Sequence, residues 1–404
     1  MKIPRFMIAA PGSGSGKTLI TCALLGALKN RGLKLQAFKC GPDYIDPMFH
    51  SRVLGIPSEN IDSWFLGEGE LRQLFAGRTE GADIGVIEGV MGLYDGVSGI
   101  YPEGSSYDCA AATQTPIILV VNARGMGRSV IPMIKGFLSE DKEGLIKGVI
   151  LNRVSESFYK ILKAETDKAL ENEGYGCRVI GYFPERKDLN IESRHLGLVL
   201  PGDMGNIKEK LRKAAETAVQ CIDMEALLKI AGSAEDIEVK APAVKAESAD
   251  EKVTLAVAMD EAFCFYYPAN LRLLEELGAR ITYFSPIHDK SLPKDADGFL
   301  LGGGYPELHC EELSGNSSMI ESVRAAVKGG MPSLAECGGF MYLHRELEDS
   351  EGKAWPMVSA IDAKSFNSGK SLRFGYIEVS EKNCGFLPEG EKIRGHEFHY
   401  WDSE

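Results

Sequence analysis

A short apolar segment, a glycine-rich loop and a helix, in that order, constrain the fold of this chain more than any other feature. Residues 5–10 are largely apolar and lead into Pro-Gly-Ser-Gly-Ser-Gly-Lys-Thr. The residues that follow Lys17 place apolar side chains at helical spacing as far as Gly32. Glycines let backbone N–H groups close on phosphate oxygens, and a helix N-terminus adds favourable partial charge. The pattern therefore predicts a buried strand, a phosphate-binding loop and a helix.

The loop supplies a set of candidate ATP ligands. Lys17 would reach the β- and γ-phosphates, and the Thr18 hydroxyl would bind Mg²⁺. Pro11 stands where the usual Walker A motif has its first glycine, and the spacing resembles the variant loop of dethiobiotin synthetase and its relatives. The predicted ATP-binding residues of the loop are Gly12, Ser13, Gly14, Ser15, Gly16, Lys17 and Thr18.

The rest of the chain alternates short apolar runs with helical patterns, which is typical of α/β domains with doubly wound parallel sheets. Residues 232–252 are rich in charge, Ala and Ser and suit a solvated linker. We therefore expect two doubly wound α/β domains, at residues 1–231 and 253–404. The predicted strands cover residues 5–10, 35–40, 84–88, 116–121, 148–152 and 178–183, and then 254–259, 280–284, 298–301 and 332–335.

Composition argues against several classes of protein. The 404 residues carry a formal charge of −13, which disfavours non-specific nucleic-acid binding. No apolar run reaches the roughly 18 residues of a membrane span, and the apolar start of the chain suits a core strand better than a signal peptide. The nine cysteines form no C-x-x-C pair and indicate neither a disulfide framework nor a zinc site. A cytoplasmic location is expected.

Charged residues follow two more of the predicted strands. Glu88 ends one strand, and Lys39 opens the segment Lys-Cys-Gly-Pro-Asp-Tyr-Ile-Asp-Pro after another. Ligands of open α/β sheets bind at the carboxyl ends of the strands, where the phosphate loop also belongs. We expect Glu88 and Asp43 to bind Mg²⁺ with Thr18, Lys39 to bind phosphate and Asp46 to contact substrate or metal. The alternatives are an ordinary strand end for Glu88 and a simple Pro/Asp turn.

A second candidate site lies in the C-terminal half of the chain. Cys337 stands in Ala-Glu-Cys-Gly-Gly, between a predicted strand and a helix start. The flanking glycines permit the strained backbone of a nucleophile elbow. The helix N-terminus would lower the pKa of the Cys337 thiol and favour the thiolate. The other eight cysteines fit small buried hydrophobic residues.

A nucleophilic cysteine requires a general base and donors for an oxyanion. Residues 394–400 look extended, and a period of two places Glu397 and His399 on one face and His396 on the other. We expect His399 to be the base, with Glu397 orienting the imidazole or contacting substrate. The loop Gly-Gly-Gly-Tyr-Pro-Glu and the elbow supply backbone N–H groups. The predicted oxyanion donors are Gly303, Gly304 and Gly338.

Several longer motifs, spread along nearly the whole chain, carry a family resemblance. They are Gly-Pro-Asp-Tyr-Ile-Asp-Pro-Met-Phe-His, Glu-Gly-Val-Met-Gly-Leu-Tyr-Asp-Gly, Arg-His-Leu-Gly-Leu at 194–198 and Gly-His-Glu-Phe-His-Tyr. With the two loops, they resemble the cobyrinate a,c-diamide synthase family. The resemblance implies a dethiobiotin-synthetase-like ATP-binding domain and a class-I-type glutaminase domain. It also implies amidation of the a and c carboxylates of a corrinoid through acyl phosphates, with ammonia released from glutamine through a thioester on Cys337.

The same resemblance assigns further residues. It places Asn152 where relatives of dethiobiotin synthetase contact the nucleotide base, and the motifs add Tyr44 and Asp95 as candidate substrate contacts. Class I glutaminases have a glutamate two residues after the histidine, where this chain has Trp401, so a Cys337–His399 dyad is expected. The chain ends five residues after His399, whereas the family continues with more of the last domain, so we expect a truncated or divergent member. Assembly as a homodimer is a further hypothesis.

Three alternatives stay open. Nickel-sirohydrochlorin a,c-diamide synthase shares these motifs, and the residues alone do not separate its substrate from cobyrinate. Cobyric acid synthase resembles both halves but lacks the Asp-Tyr-Ile-Asp-Pro and Gly-His-Glu-Phe-His-Tyr segments. A partition-type switch ATPase represents another class of function; such proteins have a lysine where this chain has Gly12, and they have no glutaminase half.

Overall fold

The computed structural model of the chain describes residues 2–189, 204–239, 253–370, 373–380 and 390–404. The chain divides into two compact units, Met1–Ala243 and Val244–Glu404. Most of the predicted linker, at 240–252, lies outside the described residues, and so does the motif at 194–198. Gly232, at the start of that linker, instead ends a helix.

The first unit is built on one parallel sheet with helices between its strands. Its strands are β1 (Arg5–Ala9), β2 (Leu35–Cys40), β3 (Ser58–Ile61), β4 (Ile84–Glu88), β5 (Ile117–Asn122), β6 (Ile146–Asn152) and β7 (Arg178–Phe183). Its helices are α1 (Lys17–Asn30), α2 (Ile45–Arg52), α3 (Glu68–Thr79), α4 (Ser106–Ala112), α5 (Val130–Glu140), α6 (Glu156–Glu171), α7 (Met204–Cys221) and α8 (Met224–Gly232). The strand order is β3-β2-β4-β1-β5-β6-β7.

Both faces of this sheet are buried, which explains why its strands are continuous apolar runs. In β1, Phe6 and Ile8 pack into one core cluster, while Met7 and Ala9 pack into another on the opposite face. Strands buried on both sides do not alternate polar and apolar residues. Such runs were visible in the sequence, and the predicted α/β class with parallel sheets is confirmed. The exception is β3, whose Ser-Glu-Asn-Ile sequence carries no such signal.

The strand order brings the charged residues of the first unit to one edge of the sheet. Strand β4 lies between β1 and β2, and Glu88 at its end is in register with Ile8 and Lys39. The glycine-rich loop leaves β1 at this same end and enters α1. The topology therefore sets the phosphate loop beside the segments that follow β2 and β4.

The second unit combines a parallel sheet with antiparallel strands. Strands β8 (Thr254–Ala258), β10 (Arg280–Phe284), β11 (Gly298–Leu301) and β13 (Ser333–Ala335) form the parallel sheet in the order β10-β8-β11-β13. The remaining strands are β9 (Phe263–Phe265), β12 (Gly303–Gly304), β14 (His344–Glu348), β15 (Ala354–Pro356), β16 (Ile361–Asn367), β17 (Arg373–Ser380), β18 (Lys392–His399) and β19 (Trp401–Ser403). The helices are α9 (Pro268–Glu276), α10 (Cys310–Gly315), α11 (Ser317–Lys328) and α12 (Gly338–Tyr342).

The sequence analysis predicted the four parallel strands of this unit and the extended segment that forms β18. It did not predict the sheet β15-β14-β16-β19, or β17, which pairs with β18. These strands are half-exposed and mixed in composition, so they lack long apolar runs. Across the described ranges, no helix is both long enough and apolar enough to cross a membrane.

Phe75 offers a test of how the core supports the strand that carries Lys39. Its ring is fully buried and stacks on Phe38 with ring centroids 4.6 Å apart. Because a cavity would remain, Phe75→Ala should lower the free energy of unfolding of the first unit by about 3–5 kcal/mol, and Phe75→Leu by about 1.5 kcal/mol or less. Urea unfolding followed by Trp64 fluorescence, with Trp355 and Trp401 replaced by Phe, measures both values. Equal losses for the two variants would contradict a tightly packed ring stack.

Candidate functional site

The glycine-rich loop between β1 and α1 has a defined backbone conformation. Gly14 and Gly16 have φ angles of 73° and 94°, in the region that favours glycine. The Ser15 hydroxyl donates to the Gly12 carbonyl at 2.8 Å and closes the loop on itself. The loop is therefore shaped by its own residues, as a phosphate-binding loop requires.

Asn152, at the end of β6, supports this loop from two strands away in the sheet. Its side-chain amide donates to the Ser15 carbonyl at 2.7 Å, and the Asn152 side chain is almost fully buried. A Cβ atom at Gly16 would lie 2.3 Å from the same amide nitrogen, so a larger residue there would displace it. A contact between Asn152 and a nucleotide base stays a prediction.

Lys17 begins α1, directly after the loop, and its ammonium group is directed at carbonyl oxygens. Its Nζ donates to the Gly12 carbonyl at 3.3 Å and to the Met91 carbonyl. Burial and, to a lesser extent, the nearby Lys39 lower the pKa of Lys17 to about 8, against the opposing effect of carboxylates including Glu88 and Asp95. The structure thus places a desolvated cation where a phosphate group would bind.

A cluster of charged side chains adjoins the loop. The Thr18 hydroxyl donates to Glu88 Oε1 at 2.7 Å, and Lys39 Nζ donates to the same oxygen at 3.1 Å. Lys39 also contacts Asp46 Oδ2 at 2.5 Å and Asp43 Oδ2 at 3.7 Å. The structure therefore brings together five residues that the sequence analysis singled out. Because Lys39 is surrounded by carboxylates, its predicted contact with phosphate stays a prediction.

The electrostatics of this cluster are dominated by its excess of negative charge. Burial alone would raise the pKa of Glu88, but Lys39 and His50 hold it below its ordinary value. Burial and the Glu88 charge raise the pKa of Asp46. Burial lowers the pKa of Lys39, but the carboxylates outweigh it and keep that pKa well above the ordinary value. Three carboxylates thus share one buried ammonium group, an arrangement with a place for a further cation.

The donor set fits Mg²⁺ bound together with a nucleotide. Mg²⁺ in such sites takes one or two carboxylates, substrate phosphate oxygens and waters. Thr18 and Glu88, already in contact, supply a hydroxyl and a carboxylate beside the loop. Within the described segments, no group of three or more His, Cys, Asp or Glu residues could hold a metal without such a partner. Binding of Mg²⁺ by Thr18, Glu88 and Asp43 stays a prediction.

The two further substrate candidates flank the same edge of the sheet. The Asp95 carboxylate accepts a hydrogen bond from the Gly92 backbone N–H at 2.9 Å and holds a tight turn. A Cβ atom at Gly92 would lie 2.8 Å from the Pro11 carbonyl, so this turn packs directly on the phosphate loop. Tyr44 is half-buried and immediately precedes α2. Substrate contacts by Tyr44 and Asp95 stay predictions.

The sequence analysis assigned no role to His50, which the structure places inside the charged cluster. The residue is fully buried, and its Nε2 lies 3.3 Å from Glu88 Oε2. Its Nδ1 lies 3.2 Å from the hydroxyl of Ser58 on β3. One signal was available: His50 follows Asp46 by four residues, so both share one face of α2. The partner Ser58 was not visible, because β3 itself was missed.

In the second unit, Cys337 lies on a sharp turn between β13 and α12. Its φ and ψ angles are 48° and −112°, a strained combination for a residue other than glycine. A Cβ atom at Gly339 would lie 2.2 Å from the Leu301 carbonyl, and one at Gly338 would lie 2.8 Å from Pro306 Cδ. Only glycines fit these two positions, as a nucleophile elbow requires.

The surroundings of the Cys337 sulfur correct one prediction. Burial raises the pKa of the thiol above its ordinary value, as do the carboxylates of Glu307 and Glu336, while N–H groups of Gly338 and Gly304 oppose the shift. The expected lowering of this pKa by the helix N-terminus is wrong, because burial is the largest effect and the carboxylates add to it. The Cys337 residue is nevertheless in contact with solvent, and water moderates the increase in the pKa of its thiol.

The predicted oxyanion donors lie beside Cys337. The N–H groups of Gly304 and Gly338 are directed at it, and a Cβ atom at Gly303 would lie 3.4 Å from Cys337 Cβ. Neither Gly304 nor Gly302 tolerates a side chain, since added Cβ atoms would meet the Ala262 carbonyl at 2.0 Å and the Tyr266 ring at 2.5 Å. Stabilisation of an oxyanion by these glycines stays a prediction.

The predicted base, His399, lies at the end of β18. Its Nδ1 is 2.7 Å from the Trp401 carbonyl, and Glu397 pairs with Arg373 at 3.3 Å. His396 lies on the other strand face, with its ring 5.5 Å from that of Phe374, so the predicted alternation is confirmed. Within the part of the chain that the structure describes, Cys337 and His399 share no hydrogen bond. Their action as a pair stays a prediction.

Two further residues beside the elbow were not predicted. Glu307 is half-buried next to Cys337, and burial raises the pKa of its carboxyl group to about 7. His344 is fully buried; its Nδ1 lies 2.8 Å from the Phe340 carbonyl of α12, and its Nε2 lies 2.6 Å from the Ser403 hydroxyl. It therefore links α12 to β19. The sequence analysis missed both residues because their contacts join segments that are distant in sequence or separated by turns.

Comparison with known proteins finds two family domains, one in each half of the chain. Residues 6–199 match the CobQ/CobB/MinD/ParA nucleotide binding domain, and residues 254–403 match the CobB/CobQ-like glutamine amidotransferase domain. Among solved structures, the MinD cell division protein of Aquifex aeolicus matches 58% of this chain and 99% of its own, with 16% identity and a TM-score of 0.34. That similarity is too low to support a conclusion.

Curated relatives are similar over nearly the whole chain. The cobyrinate a,c-diamide synthase of Thermoplasma volcanium is 41% identical over 402 residues, which cover 99% of this chain and 86% of that protein. The enzyme of the same name from Caldanaerobacter subterraneus is 42% identical, covering 98% of this chain and 86% of its own. The one from Methanothermobacter thermautotrophicus is 39% identical, covering 98% and 87%.

The carboxylate of Glu307 should control the reactivity of Cys337. Glu307→Gln removes a negative charge near the sulfur and should lower the pKa of the thiol, so alkylation at pH 8 should be faster than in the parent because more thiolate is present. The rate of iodoacetamide labelling at Cys337, followed by peptide mass spectrometry between pH 6 and 10, measures this. Glu312→Gln, an exposed carboxylate on α10, is the control. An unchanged rate profile for Glu307→Gln would show that the two groups do not interact.

Proposed function

Because this chain belongs to the cobyrinate a,c-diamide synthase family, we propose that it amidates the a and c carboxylates of cobyrinate with ATP, Mg²⁺ and glutamine. The observation that carries the proposal is the presence of two chemically different sites in one chain. The first joins a phosphate loop to a cluster of carboxylates, where Thr18 contacts Glu88 at 2.7 Å. The second is a cysteine on a strained turn faced by backbone N–H groups.

The first unit would activate the acceptor carboxylate. Lys17 and the loop N–H groups bind the β- and γ-phosphates of ATP, and Thr18 and Glu88 hold Mg²⁺, which neutralises phosphate charge. A carboxylate oxygen of the acceptor attacks the γ-phosphorus, and the bond to the β-phosphate oxygen breaks, giving an acyl phosphate and ADP. Ammonia then attacks the acyl carbon, loses a proton and expels phosphate, leaving the amide.

The second unit would supply that ammonia from glutamine. Because the pKa of the Cys337 thiol is raised, the thiol needs a base at neutral pH, and we assign that role to His399. The sulfur attacks the side-chain carboxamide carbon, and N–H groups of Gly303, Gly304 and Gly338 stabilise the oxyanion. The imidazolium returns the proton to the leaving nitrogen, which departs as ammonia. Water then hydrolyses the thioester to glutamate.

The proposal also includes a cellular location and a set of binding partners. The scattered cysteines, which form no C-x-x-C pair, suit a reducing cytoplasm. The partners are small molecules, namely glutamine and a carboxylated tetrapyrrole, with no nucleic acid or membrane among them. Assembly as a homodimer also stays a prediction.

The acceptor is identified by measuring phosphate release with ATP, Mg²⁺ and glutamine in the presence of cobyrinate or nickel-sirohydrochlorin. Turnover that depends on cobyrinate, with a product in which two carboxylates have become amides, is expected. Turnover with the nickel tetrapyrrole alone would replace the acceptor but keep the chemistry. Phosphate release that is independent of either acceptor would contradict the proposal and favour a switch ATPase.

Separate variants of the two sites should separate the two half-reactions. Lys17→Ala should reduce amidation at least 100-fold with either glutamine or ammonium chloride, because it removes γ-phosphate stabilisation. Cys337→Ala should abolish the glutamine-dependent reaction and keep the ammonia-dependent one within about twofold, since the nucleophile acts only on glutamine. Amide formation is followed by mass spectrometry of the product. Loss of both activities in a folded Cys337→Ala protein would contradict this division of roles.

A further inference from the structure

The two oxygens of the Glu88 carboxylate have unlike surroundings. Oε1 accepts hydrogen bonds from Thr18 Oγ1 at 2.7 Å and from Lys39 Nζ at 3.1 Å. Oε2 is buried and has no hydrogen bond within standard geometric limits among the described residues. The group that faces Oε2 is the imidazole of His50, whose Nε2 lies 3.3 Å away and is likewise buried without a hydrogen bond of that kind. These two buried atoms therefore face each other.

The imidazole is held from its other side by a neighbouring strand. His50 Nδ1 lies 3.2 Å from the hydroxyl of Ser58, and both residues are buried. If Ser58 donates to Nδ1, the neutral ring carries its proton on Nε2, the nitrogen that faces Glu88. A relay of contacts thus runs from Ser58 on β3 through His50 on α2 to Glu88 on β4.

A contact on Oε2 has a consequence for the metal site. Thr18 and Lys39 compete for the same oxygen, and the ammonium group attracts the carboxylate more strongly than the hydroxyl does. A carboxylate with an unrestrained second oxygen would rotate and offer both oxygens to Lys39. His50, by holding Oε2, keeps Oε1 directed at Thr18. Lys39 is itself restrained by Asp46 at 2.5 Å.

We propose that His50 is a positioning residue, oriented by Ser58, that fixes the Glu88 carboxylate for binding a divalent cation together with the nucleotide. The inference rests on the proposed function, because it takes Thr18 and Glu88 to be the cation ligands. Partners that orient a ligating side chain commonly contribute about 10- to 100-fold to metal affinity. His50 itself touches neither the cation nor the phosphates in this assignment.

The test measures Mn²⁺ affinity, by electron paramagnetic resonance, in the complex of the full chain with a non-hydrolysable ATP analogue. His50→Leu, which removes the donor, should weaken Mn²⁺ binding about tenfold. His50→Gln places an amide donor near the position of Nε2 and should restore affinity to within about threefold of the parent. Ser58→Ala should give a smaller loss of about twofold to threefold, because the ring is retained but less restrained.

The matched control is Phe49→Leu, on the same helix α2. Phe49 is buried in a separate apolar cluster with Cys22, Val53 and Leu211, so its shortening disturbs packing without removing a polar contact. The melting temperature of each variant, measured by thermal unfolding, allows variants of equal stability to be compared. Weaker Mn²⁺ binding in Phe49→Leu, equal to that of His50→Leu at a similar melting temperature, would overturn the inference by showing a general packing effect. Unchanged Mn²⁺ binding in His50→Leu would overturn it directly.

Glu88→Gln distinguishes failure of this inference from failure of the proposed metal site. A strong loss of Mn²⁺ affinity in Glu88→Gln with no loss in His50→Leu would remove only the role of His50. Normal affinity in Glu88→Gln would remove the proposed metal site and the inference with it. If His50→Leu does not fold, Ser58→Ala and His50→Gln carry the test, and parent-like affinity in Ser58→Ala would then count against the relay.

Discussion

The buried ammonium group of Lys39 is the interaction on which the first unit depends. A buried charge is stable only when it is paired, and Lys39 meets Asp46, Glu88 and Asp43 at distances from 2.5 to 3.7 Å. These contacts join the middle of the sheet to α2. Through Glu88 and Thr18 they also join α1, whose first turn follows the phosphate loop. Charge pairing therefore aligns the helices and the loop as one site.

The second unit builds its site by close backbone packing instead of charge. Glycines at 302, 304, 338 and 339 stand where added Cβ atoms would come within 2.0–2.8 Å of neighbouring atoms, and these contacts hold Cys337 in its strained conformation. The resulting environment contains carboxylates, which raise the pKa of the thiol together with burial, and N–H donors, which oppose that increase. A thiol in such a place keeps its proton, so the chemistry proposed for it depends on a base. The two units thus prepare their reactive groups by different physical means.

The parts of the molecule that could be predicted from sequence are those in which local composition reflects burial. Strands covered on both faces are apolar throughout, so β1, β2, β4 and β7 were visible, and the phosphate loop and elbow are short motifs with glycines at required positions. Strand β3 is polar, and the antiparallel strands of the second unit are half-exposed, so neither group stood out. The prediction for Lys39 was also incomplete, because its pairing with Glu88 on the adjacent strand depends on residues that are distant in sequence.

The sequence by itself determined the α/β class and predicted the two candidate sites, because glycine positions and apolar periodicity act over a few residues. Only the tertiary structure decided how those residues interact. It set His50 between Ser58 and Glu88, placed Asn152 against the phosphate loop, and raised the pKa of Cys337 where the helix end alone predicted the reverse. Desolvation and charge pairing depend on every neighbouring segment, and the neighbours are known only once the chain is folded.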